Sequence, residues 1–412
     1  MGRKGMAEHL RGGAISPKAP TDGDTDRRSA GPLGDQSLPR RLIGIVGSSG
    51  YILDSRHKLH LTHTPPTSQL GTDLRAAHTD LGVFAESAPP ELDPADRQSM
   101  VPVIMRILIV GCGYVGLALG RQLSSSGAEV LGLRRQGDPD GSLAAAGIQS
   151  VRADLTRPED LEAIPGGFDA VVCAVSSSRG GADAYREVFL GGARNLIEWA
   201  RHRRVGRLVS VSSTSVYSQT DGSWVTEDSP VEPAGETGRL LVATEGVFAE
   251  AHRSGIVPTQ IVRVAGIYGP ERGHLFQQFL AGLARRDPGQ GRWINMIHRD
   301  DVASALEAVM LHGEAGRTYN AVDDEPVLQG AFLEFLTTET GLPLPPLAES
   351  ADPSGTIPVR KRGTTHKRVS NRRLQEELGW RPQFPTFREG YAEAIAAVIS
   401  SPGTTFQRPT LL

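Results

Sequence analysis

The stretch that decides the fold is Met105-Arg-Ile-Leu-Ile-Val-Gly-Cys-Gly-Tyr-Val-Gly116. Its apolar first half is typical of a buried strand, and a helical pattern follows directly after the glycines. Gly111, Gly113 and Gly116 have the spacing G-x-G-x-x-G between this strand and this helix. A strand, a glycine-rich turn and a helix in this order are the layout of a dinucleotide-binding unit.

Each glycine of the turn has a separate role in this interpretation. Gly111 permits the tight turn, Gly113 leaves room for a diphosphate, and Gly116 lets the helix pack close to the strand. The start of the helix offers free N–H groups and the positive end of its dipole to the phosphates. An ordinary glycine-rich loop is the competing interpretation. The predicted cofactor-binding residues of the turn are Gly111, Cys112, Gly113, Tyr114, Val115 and Gly116.

Composition excludes several classes of protein. The chain has 412 residues and a net charge of −3, so no overall field attracts nucleic acid or an anionic membrane. Its two cysteines, Cys112 and Cys173, imply no disulfide framework and fit a reducing cytosol. The sequence has neither an apolar run of membrane-spanning length nor an apolar signal-peptide core near residue 1. We predict a cytoplasmic protein with a small-molecule substrate, without nucleic-acid or membrane partners and without a metal site.

Residues 1–104 differ in composition from the rest of the chain. Only two of the 22 aromatic residues, Tyr51 and Phe84, fall in this segment, so it can bury little apolar surface. Its abundance of Gly, Pro, Ser, Thr, Asp and Arg predicts disorder. We expect the functional protein to start at Met105 and residues 1–104 to be dispensable.

The sequence after Met105 alternates between strand and helix patterns. Such alternation predicts a doubly wound parallel Rossmann sheet in an α/β fold, with helices on both faces. We assign residues 105–270 to the NAD(P)-binding Rossmann domain and 271–412 to a small mixed C-terminal substrate lobe, partly interleaved with it. After the first strand, further strands are predicted at 129–133, 148–152, 169–173, 207–211 and 259–263, and helices at 158–163, 183–202, 236–253, 329–340, 371–378 and 386–399.

The end of the second strand bears on the choice of nucleotide. A free ribose 2′-hydroxyl is usually held there by an acidic residue, whereas this chain has Arg134 and Arg135. Two guanidinium groups suit a 2′-phosphate, so we predict NADP(H), with NAD(H) possible; a solvated basic turn is the alternative. Asp154, after the third strand, is a candidate for the adenine amino group or a plain helix cap. Ala174, after the fourth strand, completes the predicted cofactor-binding set.

Several later motifs resemble a known family. Residues 105 to about 400 resemble an extended short-chain dehydrogenase/reductase of the NAD-dependent epimerase/dehydratase group. The resemblance is carried by Ser212-Ser-Thr-Ser-Val-Tyr217, Arg263-Val-Ala-Gly-Ile-Tyr-Gly-Pro270, Asn295-Met-Ile-His-Arg-Asp-Asp-Val302, Tyr319-Asn320 and Leu378-Gly-Trp-Arg-Pro382.

The resemblance implies catalytic residues that this chain only partly has. The family uses a Ser or Thr, a Tyr and a Lys, the last two being four residues apart on one helix so that both face the cofactor. The Lys charge lowers the pKa of the Tyr, which then exchanges a proton during hydride transfer. If Glu245 matches the family's Glu at the end of that helix, the Tyr and Lys positions hold Thr237 and Leu241. The resemblance therefore narrows to an atypical subgroup that lacks this pair.

The absence of the Tyr–Lys pair guides the choice of the remaining candidate site residues. Ser213 matches the family's Ser, and Tyr217 is the first candidate for the missing acid, with packing beside the cofactor ribose as an equal alternative. Tyr268 and His298 are candidates for contact with substrate, although a structural role at the lobe junction also fits His298. Lys367 and Arg368, in a basic cluster, could receive a phosphorylated or acidic substrate group, with solvated charge as the alternative.

Three functions fit these residues. The first is an NAD(P)-dependent oxidoreductase acting on a small aldehyde or other carbonyl, or on the matching alcohol. The second is a nucleotide-sugar epimerase or dehydratase, which the late motifs favour and the lost Tyr–Lys pair disfavours. The third is a non-catalytic NADP(H)-binding sensor. By resemblance, the helices at 183–202 and 236–253 are candidates for the face of a homodimer.

Overall fold

A computed structural model describes residues 104–177, 180–289, 291–348 and 365–400. The expectations for residues 1–103, including their disorder, lie outside the described residues.

Thirteen strands are found in the described residues. Seven of them, β1–β5, β7 and β11, form the central sheet, and the other six pair in twos. Their bounds are β1 Arg106–Val110, β2 Glu129–Arg134, β3 Gln149–Arg152, β4 Ala170–Cys173, β5 Leu208–Ser213, β6 Trp224–Val225, β7 Thr259–Val264, β8 Gly266–Tyr268, β9 Trp293–Ile294, β10 Met296–His298, β11 Thr318–Ala321, β12 Val327–Leu328 and β13 Arg368–Val369.

Eleven α-helices separate and follow the strands in the described residues. A π-helical segment, Arg186–Gly191, and a 3₁₀ turn, Thr214–Val216, complete the helical structure there. The α-helices are α1 Tyr114–Ser125, α2 Ser142–Ala145, α3 Pro158–Glu162, α4 Ala182–Tyr185, α5 Gly192–Arg201, α6 Glu236–Arg253, α7 His274–Leu280, α8 Arg299–His312, α9 Gln329–Thr340, α10 Arg372–Leu378 and α11 Phe387–Ser400.

The central sheet is entirely parallel and has the order β11-β7-β5-β4-β1-β2-β3. Side chains of β1 alternate between the two faces, as the pleat requires. Ile107 and Ile109 pack into the core beneath α1 and α8, whereas Leu108 and Val110 pack into the core beneath α5 and α6. The predicted doubly wound Rossmann sheet with helices on both faces is confirmed.

The elements that were predicted agree with the structure to within two residues at their ends, with one exception, whereas helices α2, α7 and α8 and strands β6 and β8 to β13 were not predicted. The predicted helix at 183–202 is divided into α4, the π-helical segment and α5. Strand β11 was not predicted, because its short sequence Thr-Tyr-Asn-Ala lacks the apolar run of the other central strands. Strand β11 and helix α8 follow residue 270 and yet join the central sheet and its core.

The remaining C-terminal elements enclose a separate aromatic core. Tyr268 stacks on Tyr391 with ring centroids 4.4 Å apart, and Phe332 meets Phe387 edge to face at 5.3 Å. These rings come from β8, α9 and α11, and together they hold the lobe beside the carboxyl edge of the sheet.

A buried ion pair crosses the layers of the fold. Arg263 of β7 bonds Glu245 of α6 through Nη2 to Oε2 at 2.7 Å, and both residues are less than 8% exposed. Glu245 also accepts a hydrogen bond from Ser212 Oγ on β5 at 2.5 Å. Burial alone would lower the pKa of Arg263, but the Glu245 carboxylate raises it overall, so the guanidinium stays charged. The pair therefore ties α6 to two central strands.

We predict that Glu245→Ala lowers the free energy of unfolding by about 3–5 kcal/mol, because it leaves the Arg263 guanidinium buried without a counter-ion. Chemical denaturation followed by circular dichroism measures this change. Glu198→Ala, which removes the partner of Arg201 from an exposed pair on α5, is the control and should change stability little. Equal losses for the two variants would contradict the assigned role of the buried pair.

Candidate functional site

The glycine turn has an open face where α1 begins. Gly111 N and Cys112 N both donate to Leu133 O, at 3.2 and 3.0 Å, which fixes the turn to β2. Gly111 has φ of +86°, and a Cβ there would lie 2.7 Å from the backbone of Val175. A Cβ on Gly116 would lie 2.8 Å from Gly111 O, so both of these glycines serve the packing of the turn.

Gly113 is different, because the space beside it is empty. A Cβ on Gly113 would meet no atom within 4 Å, and the residue is exposed. It directly precedes Tyr114, the first residue of α1, whose end carries the unpaired N–H groups and positive dipole that favour an anion. The residues of the turn therefore fit a diphosphate, and a side chain at Gly113 would fill the space that the diphosphate needs, which we call the diphosphate seat.

The described residues also line a cavity of about 260 Å³. It lies beyond the carboxyl ends of β2, β3 and β4, where open α/β sheets bind nucleotides. Arg135 and Asp154, two predicted residues, are on its wall. The other lining residues, which no sequence motif predicts, lie on loops and on the first turns of an interrupted helix: Thr156, Ser177, Gly180, Asp183, Ala184, Glu187 and Val188.

The two arginines predicted to act together have different surroundings. Arg134 Nε donates to Cys112 O, and its Nη1 lies 3.7 Å from Asp138 Oδ1 and 3.4 Å from Asp140 Oδ1. Arg134 therefore braces the glycine turn against the following loop, and the assignment of its guanidinium to a 2′-phosphate is corrected. The i,i+4 spacing of Arg134 and Asp138 was a visible signal for this pairing. Arg135 is exposed and lines the cavity.

Asp154 presents a carboxylate to the same cavity. It accepts hydrogen bonds from Thr156 N at 2.9 Å and Thr156 Oγ1 at 2.8 Å. Partial burial would raise the pKa of Asp154, but these hydrogen bonds and the nearby Arg135 and Arg157 charges hold it below its ordinary value. Ala174, whose N donates to Val110 O at 2.8 Å, continues the same sheet edge beside the turn.

Ser213 and Tyr217 differ in burial: Ser213 is partly buried and Tyr217 is fully buried. Ser213 is the last residue of β5 and is partly buried, and its Oγ accepts from Ser215 N at 3.1 Å. Tyr217 is 0% exposed; its hydroxyl donates to Asn320 Oδ1 at 2.8 Å and accepts from Arg263 Nη1 at 2.9 Å. Burial also raises the pKa of Tyr217. Of the two interpretations of Tyr217, the geometry favours packing, and we no longer assign it to proton transfer.

Helix α6 has neither a tyrosine nor a lysine. Thr237 lies on its first turn and is partly buried, while Leu241 is 4% exposed and packs into the core beneath α1. A threonine hydroxyl is too weak an acid to lose a proton near neutral pH, and Leu241 carries no charge. This helix therefore offers the Thr237 hydroxyl on its first turn but no tyrosine–lysine pair.

Tyr268 and His298 are structural residues at the lobe junction. Tyr268 is 1% exposed within the aromatic core. His298 Nδ1 accepts from Asp300 N at 3.3 Å, which caps α8, and its ring packs on Phe384 with centroids 4.0 Å apart. Burial lowers the pKa of His298. Both rings are engaged in packing contacts, which favours the structural role over contact with substrate.

Lys367 is buried, whereas Arg368 is accessible to a ligand. Lys367 is 4% exposed, and its Nζ donates to Tyr217 O and Thr365 Oγ1, both at 3.0 Å. Burial lowers the pKa of Lys367 to about 8. Arg368 is partly exposed, so of the predicted basic pair only Arg368 has a side chain open to a ligand.

Comparison with known proteins identifies the family. Residues 107–321, more than half of the chain, match the sequence model of the NAD-dependent epimerase/dehydratase family. The chain belongs to this family. It is 29% identical over 286 residues to Protein YeeZ of Escherichia coli strain K12, covering 68% of this chain and 96% of that protein. It is 28% identical to a 3-diazoavenalumate denitrifying reductase of a Streptomyces species, covering 69% and 99% of the two chains.

Solved structures support the same fold. A double mutant of the dTDP-glucose 4,6-dehydratase DesIV from Streptomyces venezuelae, with NAD and DAU bound, gives a TM-score of 0.61 at 24% identity. The match covers 71% of this chain and 96% of DesIV. Among the described residues of this chain, the helices are all too short or too polar to span a bilayer.

We predict that Gly113→Ala weakens binding of NADPH by at least about tenfold, because the new methyl group fills the diphosphate seat. The fold should persist, since this methyl group meets no protein atom. Gly246→Ala is the matched control, because Gly246 lies inside α6 and a Cβ there also meets nothing. NADPH fluorescence titration and thermal unfolding of both variants check the prediction, and unchanged affinity in Gly113→Ala would refute it.

Proposed function

We propose that the protein binds NADP(H) and acts as an oxidoreductase on a small carbonyl compound or the matching alcohol. The observation that carries this proposal is the empty space at Gly113, directly before the N-terminal end of α1. The cavity lined by Arg135 and Asp154 is the second observation in its favour. Membership of an NAD-dependent family supports it, as does similarity to a protein named a reductase.

Each part of the site has a task in this proposal. The N–H groups at the start of α1 hold the diphosphate, Asp154 accepts from the adenine amino group, and Arg135 pairs with the 2′-phosphate. When bound, the nicotinamide supplies the hydride. The Ser213 hydroxyl, at the carboxyl end of β5, donates to the substrate oxygen. With Tyr217 buried and α6 lacking a tyrosine–lysine pair, the proton reaches this oxygen from water through the hydroxyls of Ser213 and Thr237.

A sensor without catalysis is the second candidate. Leu241 is the observation that favours it, because a core leucine stands where the resemblance places a lysine that activates the phenol. The same loss disfavours nucleotide-sugar epimerisation, which depends on repeated proton exchange at the substrate oxygen. The sensor would keep all the cofactor contacts and lack turnover, so binding and turnover must be measured separately.

We predict that Arg135→Ala weakens binding of NADPH by roughly tenfold and binding of NADH little, because only NADPH carries the 2′-phosphate. Isothermal titration of both cofactors checks this difference. Arg121→Ala, an exposed arginine on α1, is the control for the loss of one positive charge. If wild-type protein binds both cofactors equally, or if Arg135→Ala weakens both alike, the NADP(H) preference is wrong.

We predict that wild-type protein oxidises NADPH in the presence of some members of a panel of small aldehydes and ketones. Ser213→Ala should lower kcat by about 10²–10³-fold with unchanged affinity for NADPH, since a donor to the developing oxyanion is lost. Absorbance at the NADPH band measures turnover, and fluorescence measures binding. Tight binding without turnover across carbonyls and nucleotide sugars would instead establish the sensor. Absence of NADP(H) and NAD(H) binding would defeat both functions.

A further inference from the structure

Arg368 is part of a cluster of aromatic and basic side chains outside the cofactor site. Its Cζ lies 5.1 Å from the ring centroid of Trp224 and 5.3 Å from that of Trp293. Its Nε donates to Gly222 O at 2.9 Å. Two of the four tryptophans of the chain thus contact one guanidinium group, which restricts its orientation.

The guanidinium of Arg368 has no anionic partner among the residues that the structure describes. A guanidinium carries five N–H donors, and in the described parts of the chain only Nε of Arg368 has a hydrogen-bond acceptor. No carboxylate among the described residues lies within ion-pair distance of it. Arg368 is partly exposed, so its two terminal nitrogens remain open to a ligand. A guanidinium that is oriented but unpaired matches the planar, bidentate geometry of a carboxylate or phosphate group.

Backbone pairing makes this cluster a rigid structure. Arg368 of β13 is opposite Trp224 of β6, and the adjacent chain is tied by Gly222 N to His366 O at 2.7 Å. His366 Nδ1 in turn accepts from Trp293 N at 3.0 Å, which places the second indole. Trp224 is nevertheless 52% exposed. We call Gly222, Trp224, Trp293, His366 and Arg368 the platform. An exposed indole on a hydrogen-bonded support of this kind is typical of a site where a ligand, rather than the protein itself, covers the ring.

The platform is connected to the segment that begins at Ser213. The chain runs from Ser213 through the buried Tyr217 to Gly222 and Trp224, and Lys367 Nζ donates to Tyr217 O. Asn295 fixes the other side, since its side chain bonds both Lys367 O and Val369 N. Short, hydrogen-bonded segments therefore connect the platform to the segment that follows β5.

We propose that Arg368, flanked by Trp224 and Trp293, is a binding subsite for an anionic group, a phosphate or a carboxylate, carried by the substrate. Naming the ligand as substrate rests on the proposed function; the presence of an anion site does not. The guanidinium binds two oxygens of the anion, and the indole of Trp224 covers the adjoining carbon skeleton. The protein therefore acts on carbonyl compounds or alcohols that also carry an acidic group.

The test titrates inorganic phosphate and, separately, malonate into NADP⁺-saturated protein, which keeps the diphosphate seat filled. Tryptophan fluorescence reports the contact, and calorimetry gives the affinity. We expect Arg368→Met to weaken the bound anion at least tenfold, which is the range for a charge-assisted hydrogen bond. Arg368→Lys keeps the charge without the fork and should be intermediate. Arg201→Met, on the exposed face of α5, is the control and should match wild type.

The two probes distinguish the source of the anion. If only phosphate binds in a way that depends on Arg368, the substrate is phosphorylated. If only malonate does so, the substrate carries a carboxylate. Either result supports the subsite. Equal affinity in wild type and Arg368→Met, with both folded by thermal unfolding, overturns it, as does absence of binding of both anions to wild type. If wild type fails to bind NADPH but still binds an anion through Arg368, the proposed function fails and the subsite stands.

Discussion

The contact between Arg263 and Glu245 fixes the geometry on which the site depends. Both groups are charged and both are buried, and desolvation of two such ions is tolerated only when their remaining donors and acceptors are also satisfied. Arg263 meets this condition with Tyr217 and with Glu227 O at 3.3 Å, and Glu245 with Ser212. Because the partners come from β5, β7 and α6, the requirement of charge balance sets how these elements meet at the sheet edge.

This network also explains why Tyr217 is unsuited to catalysis. Its hydroxyl has one donor and accepts readily, and both capacities are already used by Asn320 and Arg263. Asn320 is held by Glu227, whose Oε1 accepts from Asn320 N at 2.8 Å. Withdrawing Tyr217 toward a substrate would leave a buried guanidinium and a buried amide short of partners. Tyr217 belongs to a segment that resembles a catalytic motif, but in this structure its hydroxyl stabilises the fold through hydrogen bonds to Asn320 and Arg263.

The sequence was informative where a single local pattern decides the structure. Apolar runs predicted β1, β4 and β7, and helical periodicity predicted α6 at its observed bounds, because burial on one or both faces imposes these patterns directly. The sequence did not predict which distant residue a buried polar side chain contacts. Tyr217 and Asn320 are 103 residues apart, and Lys367 and Tyr217 are 150 apart, so no spacing rule could show that they meet. The interruption of the helix at 186–191 likewise has no signature in hydrophobic period.

Binding and chemistry are separable in this fold, and the position of Leu241 shows why. The glycine turn depends on β1, β2 and α1, and the cavity on loops after β2, β3 and β4 and on residues 183–188, whereas Leu241 lies on α6. Replacing a charged residue by leucine on that helix adds apolar contact to the core and leaves the nucleotide seat untouched. Leucine at position 241 is therefore compatible with a packed core and does not alter the residues of the glycine turn. A charge that faces a substrate must come from other residues, and Arg368 has no carboxylate within ion-pair distance among the described residues.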